Sequence, residues 1–149
     1  MHLRSATRRR LTAVIMFGLS RSERRCQRRR QAVRALFYQH RADRTPDGRS
    51  RRLLWGWLTP AQQQQFAARG YFEVIGSHSA RRYRIYAGSA MNVCELDERG
   101  RVRRGLCFLP VGDLPAGDVM LAQKLALETC EDTVILVAKE FVPRTLLWN

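Results

Sequence analysis

The chain has 149 residues and a formal net charge of +14, from 27 basic and 13 acidic residues. Its length and its 45% hydrophobic content suit one folded domain with an ordinary core, rather than several domains. A charge of this size favours an anionic partner through long-range attraction, but it does not identify the anion.

The positive charge is concentrated near the N-terminus. Residues 1–52 contain 16 of the 27 basic residues, all of them arginine, against three acidic residues. This segment therefore carries +13, whereas residues 53–149 carry only +1. We expect an arginine-rich arm over residues 1–52 and a nearly neutral folded domain over residues 53–149.

An apolar run at residues 11–19 follows three arginines and is similar to the start of a secretion signal. It leads into Arg21 and Glu23 instead of a small-residue cleavage site, so we expect no cleaved signal. Its nine residues are also far fewer than the roughly 20 that a membrane-spanning helix needs. The sequence thus predicts no transmembrane segment.

The second half of the arm has a helical pattern. Ser20 and Glu23 have the spacing of a capping box, and apolar residues then recur at helical intervals over residues 21–41. Because neighbouring arginines repel one another, we expect this segment to be flexible or conditionally helical. Guanidinium groups pair with phosphate oxygens and stack on bases, which makes six arginines candidate nucleic-acid contacts. They are Arg24, Arg25, Arg28, Arg29, Arg30 and Arg34.

Residues 45–52 are polar and rich in turn-forming residues, which predicts a linker between arm and domain. Trp55 and Trp57 open the domain and are interpreted as core or interface anchors. Thr59, with proline next and glutamine three residues on, then predicts a capped helix that ends at a left-handed Gly70.

Four short strands follow as two hairpins. The β-rich runs at residues 71–75 and 82–86 predict the first hairpin. Residues 97–100 suit a turn with a left-handed glycine, as in a bulged hairpin. The expected cross-strand pairs of this second hairpin are Leu96 with Val102, Glu95 with Arg103, and Asp97 with Arg101.

Arginine and tyrosine alternate in the strand at residues 81–86. Arg81, Arg82 and Arg84, with Tyr83 or Tyr86, could form a sheet face that pairs with phosphates and stacks on bases. The alternative is a half-buried strand whose arginines are solvated.

After the sheet, helical patterns at residues 118–129 and 133–141 predict C-terminal helices on one face of it. The helix at residues 118–129 is interpreted as a core helix, with a homodimer interface as the rival interpretation. The expected fold is thus α+β: a capped helix, a four-stranded antiparallel sheet made of two hairpins, and C-terminal helices, behind the arm.

The cysteines and carboxylates do not predict a catalytic or metal site. The four cysteines contain no C-x-x-C pair, so we expect reduced thiols in a cytoplasmic protein, with Cys94 and Cys107 left open as neighbours. Glu95 and Asp97 could hold Mg²⁺ in a nuclease, but the hairpin gives both a cationic partner. We predict no cofactor and leave enzymatic activity open.

Several runs of this chain together resemble a family of small alphaproteobacterial proteins that has no characterised activity. The resemblance covers about residues 53–142; it implies that this part is the defined domain and the arm an addition, and it implies no catalytic residues. The runs that carry it are residues 55–62, 76–77, 81–85, 92–93, 106–108 and 117–129.

The expected function is non-enzymatic association with nucleic acid, RNA or DNA, mainly through phosphate contacts of the arm. The alternative is a small protein-interaction or homo-oligomeric module in which the basic arm is incidental. An anionic membrane surface is a further candidate partner for the arm.

Overall fold

The structure is a computed structural model that describes residues 44–143. The predicted arm helix at residues 21–41 and the six candidate arm arginines lie outside this range. Within it, three helices and five strands give an α+β fold, as expected from the sequence. The elements are α1 (Pro46–Trp57), α2 (Pro60–Arg69), β1 (Tyr71–Ile75), β2 (Arg82–Tyr86), β3 (Val93–Leu96), β4 (Val102–Cys107), α3 (Ala116–Val137) and β5 (Lys139–Phe141).

The strands form one antiparallel sheet in the order β1-β2-β3-β4-β5, so the two predicted hairpins join into a continuous meander. The prediction of four strands was wrong by one. α3 ends at Val137, and residues 139–141, expected to be helical, pair with β4 instead. Phe141 lies opposite Gly105, where a Cβ would be 2.5 Å from the phenylalanine ring, so the missing side chain makes room for the fifth strand.

Helix α1 occupies the segment that the sequence analysis assigned to a linker. The Thr45 hydroxyl accepts a hydrogen bond from the Gly48 amide at 3.0 Å, and Pro46 takes the first helical position. Small residues that are typical of turns serve here as a packing surface. A Cβ at Gly117 would lie 2.6 Å from the Ser50 carbonyl carbon, so α1 and α3 are in backbone contact.

Helix α2 forms as predicted. Thr59 and Gln62 make both hydrogen bonds of a capping box, and Gly70 ends the helix with a φ of 72°. Phe66 packs edge-on against Phe72 with ring centroids 5.7 Å apart, which fixes α2 beside β1.

The core lies between α3 and one face of the sheet. β1 and β2 alternate so that Phe72, Val74, Tyr83 and Ile85 face inward, where the apolar side chains of α3 cover them. α3 has a kink at Cys130, whose φ of −144° is not helical. There the amide of Glu131 donates to the Ser77 hydroxyl at 3.2 Å.

The second hairpin confirms two of its three predicted pairs. Leu96 pairs with Val102, the Asp97 amide donates to the Arg101 carbonyl at 2.8 Å, and Gly100 has a φ of 75°. Glu95, however, lies opposite Arg104 and not Arg103. The register shifts between residues 95 and 96, because a bulge there adds a residue to one strand. None of the helices within residues 44–143 is long and apolar enough to cross a membrane.

Candidate nucleic-acid interface

The face of the sheet turned away from α3 carries paired tyrosines and arginines. Tyr71 lies opposite Tyr86, and Glu73 lies opposite Arg84. The two tyrosine rings meet edge to face with centroids 5.4 Å apart. We call this surface the tyrosine face, formed by Arg69, Tyr71, Glu73, Arg84 and Tyr86.

Arg84 holds the side chains of the tyrosine face in place, and its positive charge is already paired within that face. Its Nε and Nη2 donate to Glu73 Oε1 at 3.1 and 2.7 Å, and its guanidinium lies 4.3 Å from the centre of the Tyr71 ring. Only 18% of its side chain is exposed. Arg69 is exposed and donates to the Tyr71 hydroxyl at 3.1 Å, so it is the cation of this face that is open to solvent.

Tyr83 does not take part in this face. It alternates with Arg82 and Arg84, so it points into the core, where 1% of its surface is exposed. Its hydroxyl donates to a Glu131 carboxylate oxygen at 2.6 Å. Burial first, and this bond second, raise the pKa of Tyr83 above its ordinary range. Of the two tyrosines proposed from the sequence, only Tyr86 lies on the arginine side of the strand.

Arg81 and Arg82 lie at the opposite end of the sheet from Tyr71 and Tyr86. There the β1–β2 loop and the β3–β4 turn stand side by side and enclose a cleft of about 840 Å³. We call it the arginine cleft. Its lining contains Ser79, Ala80, Arg81, Arg82, Glu95, Leu96, Asp97, Glu98, Arg99, Arg101 and Arg103.

Glu95 is fully buried beside the arginine cleft and holds three arginines. Arg81 Nη1 and Arg103 Nη1 lie 3.3 and 3.1 Å from its Oε1, and Arg104 Nε lies 2.7 Å from its Oε2. A buried carboxylate is costly without such partners, so this cluster is what allows a glutamate on the core side of β3.

Glu131 holds the β1–β2 loop against α3. One of its oxygens accepts from the amides of His78 and Ser79 at 2.8 and 2.7 Å, and the other accepts from the hydroxyls of Ser79 and Tyr83. Burial by itself raises the pKa of Glu131, but the bonds from Ser79, Tyr83 and His78 outweigh it and lower the pKa to about 2. A Cβ at Gly76 would collide with this carboxylate, so the loop needs glycine there.

The carboxylates proposed for a nuclease are engaged by arginines and amides. Asp97 accepts from the Arg101 amide and Nε, both at 2.8 Å, and from the Arg99 amide at 3.0 Å. The bond from the Arg101 amide, which outweighs desolvation, lowers the pKa of Asp97. Between residues 44 and 143, no three His, Cys, Asp or Glu side chains are grouped as metal ligands. The side chains of Ser79 and His78 contact different carboxylates, Glu131 and Asp132.

The two tryptophans proposed as interface anchors have different environments. Trp55 is half-buried and packs against the core. Trp57 is 54% exposed, and Leu53, one helical turn before it, is 50% exposed. Cys94 and Cys107 are both buried and are not joined by a disulfide bond, whereas Cys130 is exposed.

Sequence reasoning did not predict how two residues organise the cleft. It named Glu95 as a candidate metal ligand paired with Arg103 alone, because the bulge that brings Arg104 opposite Glu95 is not visible in the alternation of residues along a strand. Glu131 has no local signal, since its partners lie about fifty residues earlier in the chain.

Comparison with known proteins adds no relative. A scan against protein-family models, a search of curated proteins and a search of solved structures each found no match to this chain. The resemblance to an alphaproteobacterial family and the cytoplasmic location therefore stay predictions.

Proposed function

We propose that this protein is a non-enzymatic nucleic-acid-binding protein whose arginine-rich arm supplies most of the phosphate contacts. The observation that carries the proposal is the segregation of charge, with 16 of the 27 basic residues in residues 1–52. Such a segment attracts a polyanion over long range, and each phosphate it contacts releases counterions.

Ion pairs inside the domain support the choice of the arm. Arg84 is neutralised by Glu73, Arg101 by Asp97 and Arg104 by Glu95, with distances of 2.7 to 2.8 Å. Arginines engaged in this way have less charge to offer to phosphates. The arm has only three acidic residues against its sixteen arginines, so its charge is largely uncompensated by its own sequence.

The tyrosine face is a suitable second contact. Aromatic side chains on an open sheet stack on the bases of single-stranded nucleic acid, whatever the base. Tyr71 and Tyr86 are half-buried on this face, with Arg69 exposed beside them. This arrangement favours a single strand over a duplex, because the faces of bases in a duplex are covered by neighbouring bases and only their edges are accessible to side chains.

The test replaces all six candidate arm arginines with glutamine in the full chain. Binding of fluorescent single-stranded RNA and DNA is then measured at one moderate salt concentration. We expect the association constant to fall at least about tenfold, because several phosphate contacts are lost together. The matched control replaces the same six with lysine, which keeps the charge and should retain most of the binding. Wild-type affinity in the glutamine variant would overturn the proposal.

A second candidate function is a protein-interaction module, favoured by the exposed apolar side chains on α1. Trp57 and Leu53 lie on one side of that helix and are each about half exposed. Association through them should survive high salt, unlike phosphate binding. Trp57→Ser should then abolish self-association in sedimentation experiments and leave nucleic-acid binding unchanged.

A further inference from the structure

The arginine cleft gathers more positive charge than its own carboxylates neutralise. Five arginines line it against the three carboxylates of Glu95, Asp97 and Glu98, which leaves a surplus of two charges. Behind Glu95, Arg104 adds another guanidinium that also pairs with Glu140. Asp97 is already committed to Arg101 and to backbone amides of its own turn.

Two of these arginines are both fixed and accessible. Arg81 and Arg103 share one oxygen of the buried Glu95, yet 47% and 60% of their side chains are exposed. Each guanidinium has five N–H donors, and the contact with Glu95 uses one nitrogen of each. The remaining donors are available to a ligand with several acceptor oxygens.

The walls of the cleft are preorganised. On one side, the loop that carries Arg81 is bonded to Glu131 through the amides of His78 and Ser79. On the other, the turn at residues 97–100 is closed by the Gly100 amide, which donates to the Asp97 carbonyl at 2.9 Å. A site on such fixed elements binds with little ordering cost.

We propose that the arginine cleft is a binding site for a phosphate monoester dianion. The two negative charges of the dianion match the surplus of two positive charges in the cleft. The three terminal oxygens of the phosphate can accept hydrogen bonds from two guanidinium groups at once. The phosphate can belong to a small phosphorylated molecule or to the terminal phosphate of a nucleic-acid strand. The site adjoins the tyrosine face, since Arg82 Nη1 lies 3.8 Å from Glu73 Oε2. The paired tyrosines themselves are distant: four strand steps, about 14 Å, lie between the Tyr71–Tyr86 pair and the Ile75–Arg82 pair.

The test follows backbone amide resonances of the full chain by NMR at constant ionic strength. The probes are inorganic phosphate, a nucleoside 5′-monophosphate, and a short oligonucleotide with and without a 5′-phosphate. We expect saturable shifts at residues 79–82 and 97–103. Saturation by the monophosphate identifies a small-molecule site, whereas saturation only by the 5′-phosphorylated oligonucleotide identifies a strand end.

Variants assign the shifts to the cleft. Arg103→Gln and Arg81→Gln should each weaken phosphate binding about tenfold through the lost charge-assisted bonds. Each leaves two arginines on Glu95, and thermal unfolding checks that the variants fold. Lys139→Gln, at an exposed position of β5 outside both surfaces, is the control and should bind phosphate as wild type does.

The outcome is independent of the proposed nucleic-acid function. Phosphate should still bind in the cleft when the six arm arginines are glutamine, so loss of arm-dependent binding would not remove this site. If no phosphate probe gives saturable shifts at these residues, or if Arg103→Gln and Arg81→Gln bind like wild type, the proposal is overturned.

Discussion

At the scale of single residues, Glu131 connects three parts of the molecule. Its carboxylate joins α3 to the β1–β2 loop and, through the Tyr83 hydroxyl, to the centre of the sheet. Its own amide bonds Ser77 at the kink of α3. A charged acceptor with four donors is stabilising only while it stays ionised, which makes the fold sensitive to acid at this position.

We predict that Glu131→Gln lowers the free energy of unfolding at pH 7 by about 3 kcal/mol, since the amide cannot accept all four bonds. The folded pKa of about 2 lies below the ordinary value of 4.5, so the unfolded chain binds the proton first. The stabilisation is complete above pH 4.5 and is lost as the pH falls through 4.5 toward 2. Urea unfolding at several pH values should therefore show the two proteins converging in acid.

Asp132→Asn is the control for this prediction, because Asp132 is exposed and its carboxylate lies 3.2 Å from the exposed His78 Nδ1. Its effect should stay within about 0.5 kcal/mol. A Glu131→Gln defect that is equally large at pH 7 and at pH 3 would contradict the role assigned to the carboxylate.

Gly117 tests the contact between the first and last helices. Gly117→Ala should destabilise the protein by about 1–3 kcal/mol, because its Cβ would meet rigid backbone at Ser50. Gly56→Ala, in α1, meets nothing within 4 Å and should stabilise by about 0.5–1 kcal/mol through helix propensity. Thermal unfolding of both variants measures these two changes in stability. Equal effects would mean that α1 and α3 are not in close contact in solution.

At the scale of elements, the glutamines of α2 protect the outer edge of the sheet. β1 has a neighbour on one side only, which leaves the Glu73 backbone pointing outward. Gln62 Nε2 donates to the Glu73 carbonyl, and the Glu73 amide donates to Gln65 Oε1, both at 2.9 Å. Side chains thus take the place of a sixth strand, which limits edge-to-edge association.

We predict that Gln65→Ala makes the Glu73 amide exchange with solvent faster by about tenfold or more, since its hydrogen-bond partner is removed. Hydrogen exchange followed by NMR measures this directly. Gln64→Ala is the matched control, because Gln64 is exposed in the same run and should leave that amide unchanged. Unchanged exchange in Gln65→Ala would show that the edge is protected in another way.

The elements differ in how far the sequence predicts them, and the reason is the range of the interactions involved. The capping box of α2 and the turn at Gly100 depend on neighbouring residues, and both form as expected. α1 was missed although Thr45-Pro46 repeats the Thr59-Pro60 signal, because Gly48 and Ser50 are typical of turns. They are helical here because they allow close contact with α3, which no local pattern shows.

The candidate site was predictable only in part for the same reason. The strand alternation placed Arg84 and Tyr86 on one surface, but it could not decide which side of the sheet would be buried. Tyr83 therefore belongs to the core. The arginine cleft depends on the bulge beside Glu95 and on a loop that α3 holds, so it emerges only in three dimensions.

At the scale of the whole molecule, an arm with strong positive charge leads into a domain that largely neutralises its own charges. The described residues begin just before α1, whose packing on α3 means that the domain extends at least to Thr45, several residues before the expected boundary. A truncation at Leu53 would remove part of this helix, so the arm is better tested by substitution in the full chain.

The salt dependence of binding tests the central claim most directly. The association constant of the full chain for single-stranded RNA is measured from low to high salt and plotted on logarithmic axes. If about six arm arginines contact phosphates, the slope should be roughly −4, and it should become clearly shallower when those six are glutamine, since ten arginines of residues 1–52 remain. A flat slope for the full chain, or the same steep slope in both proteins, would contradict a role for the arm in binding nucleic acid.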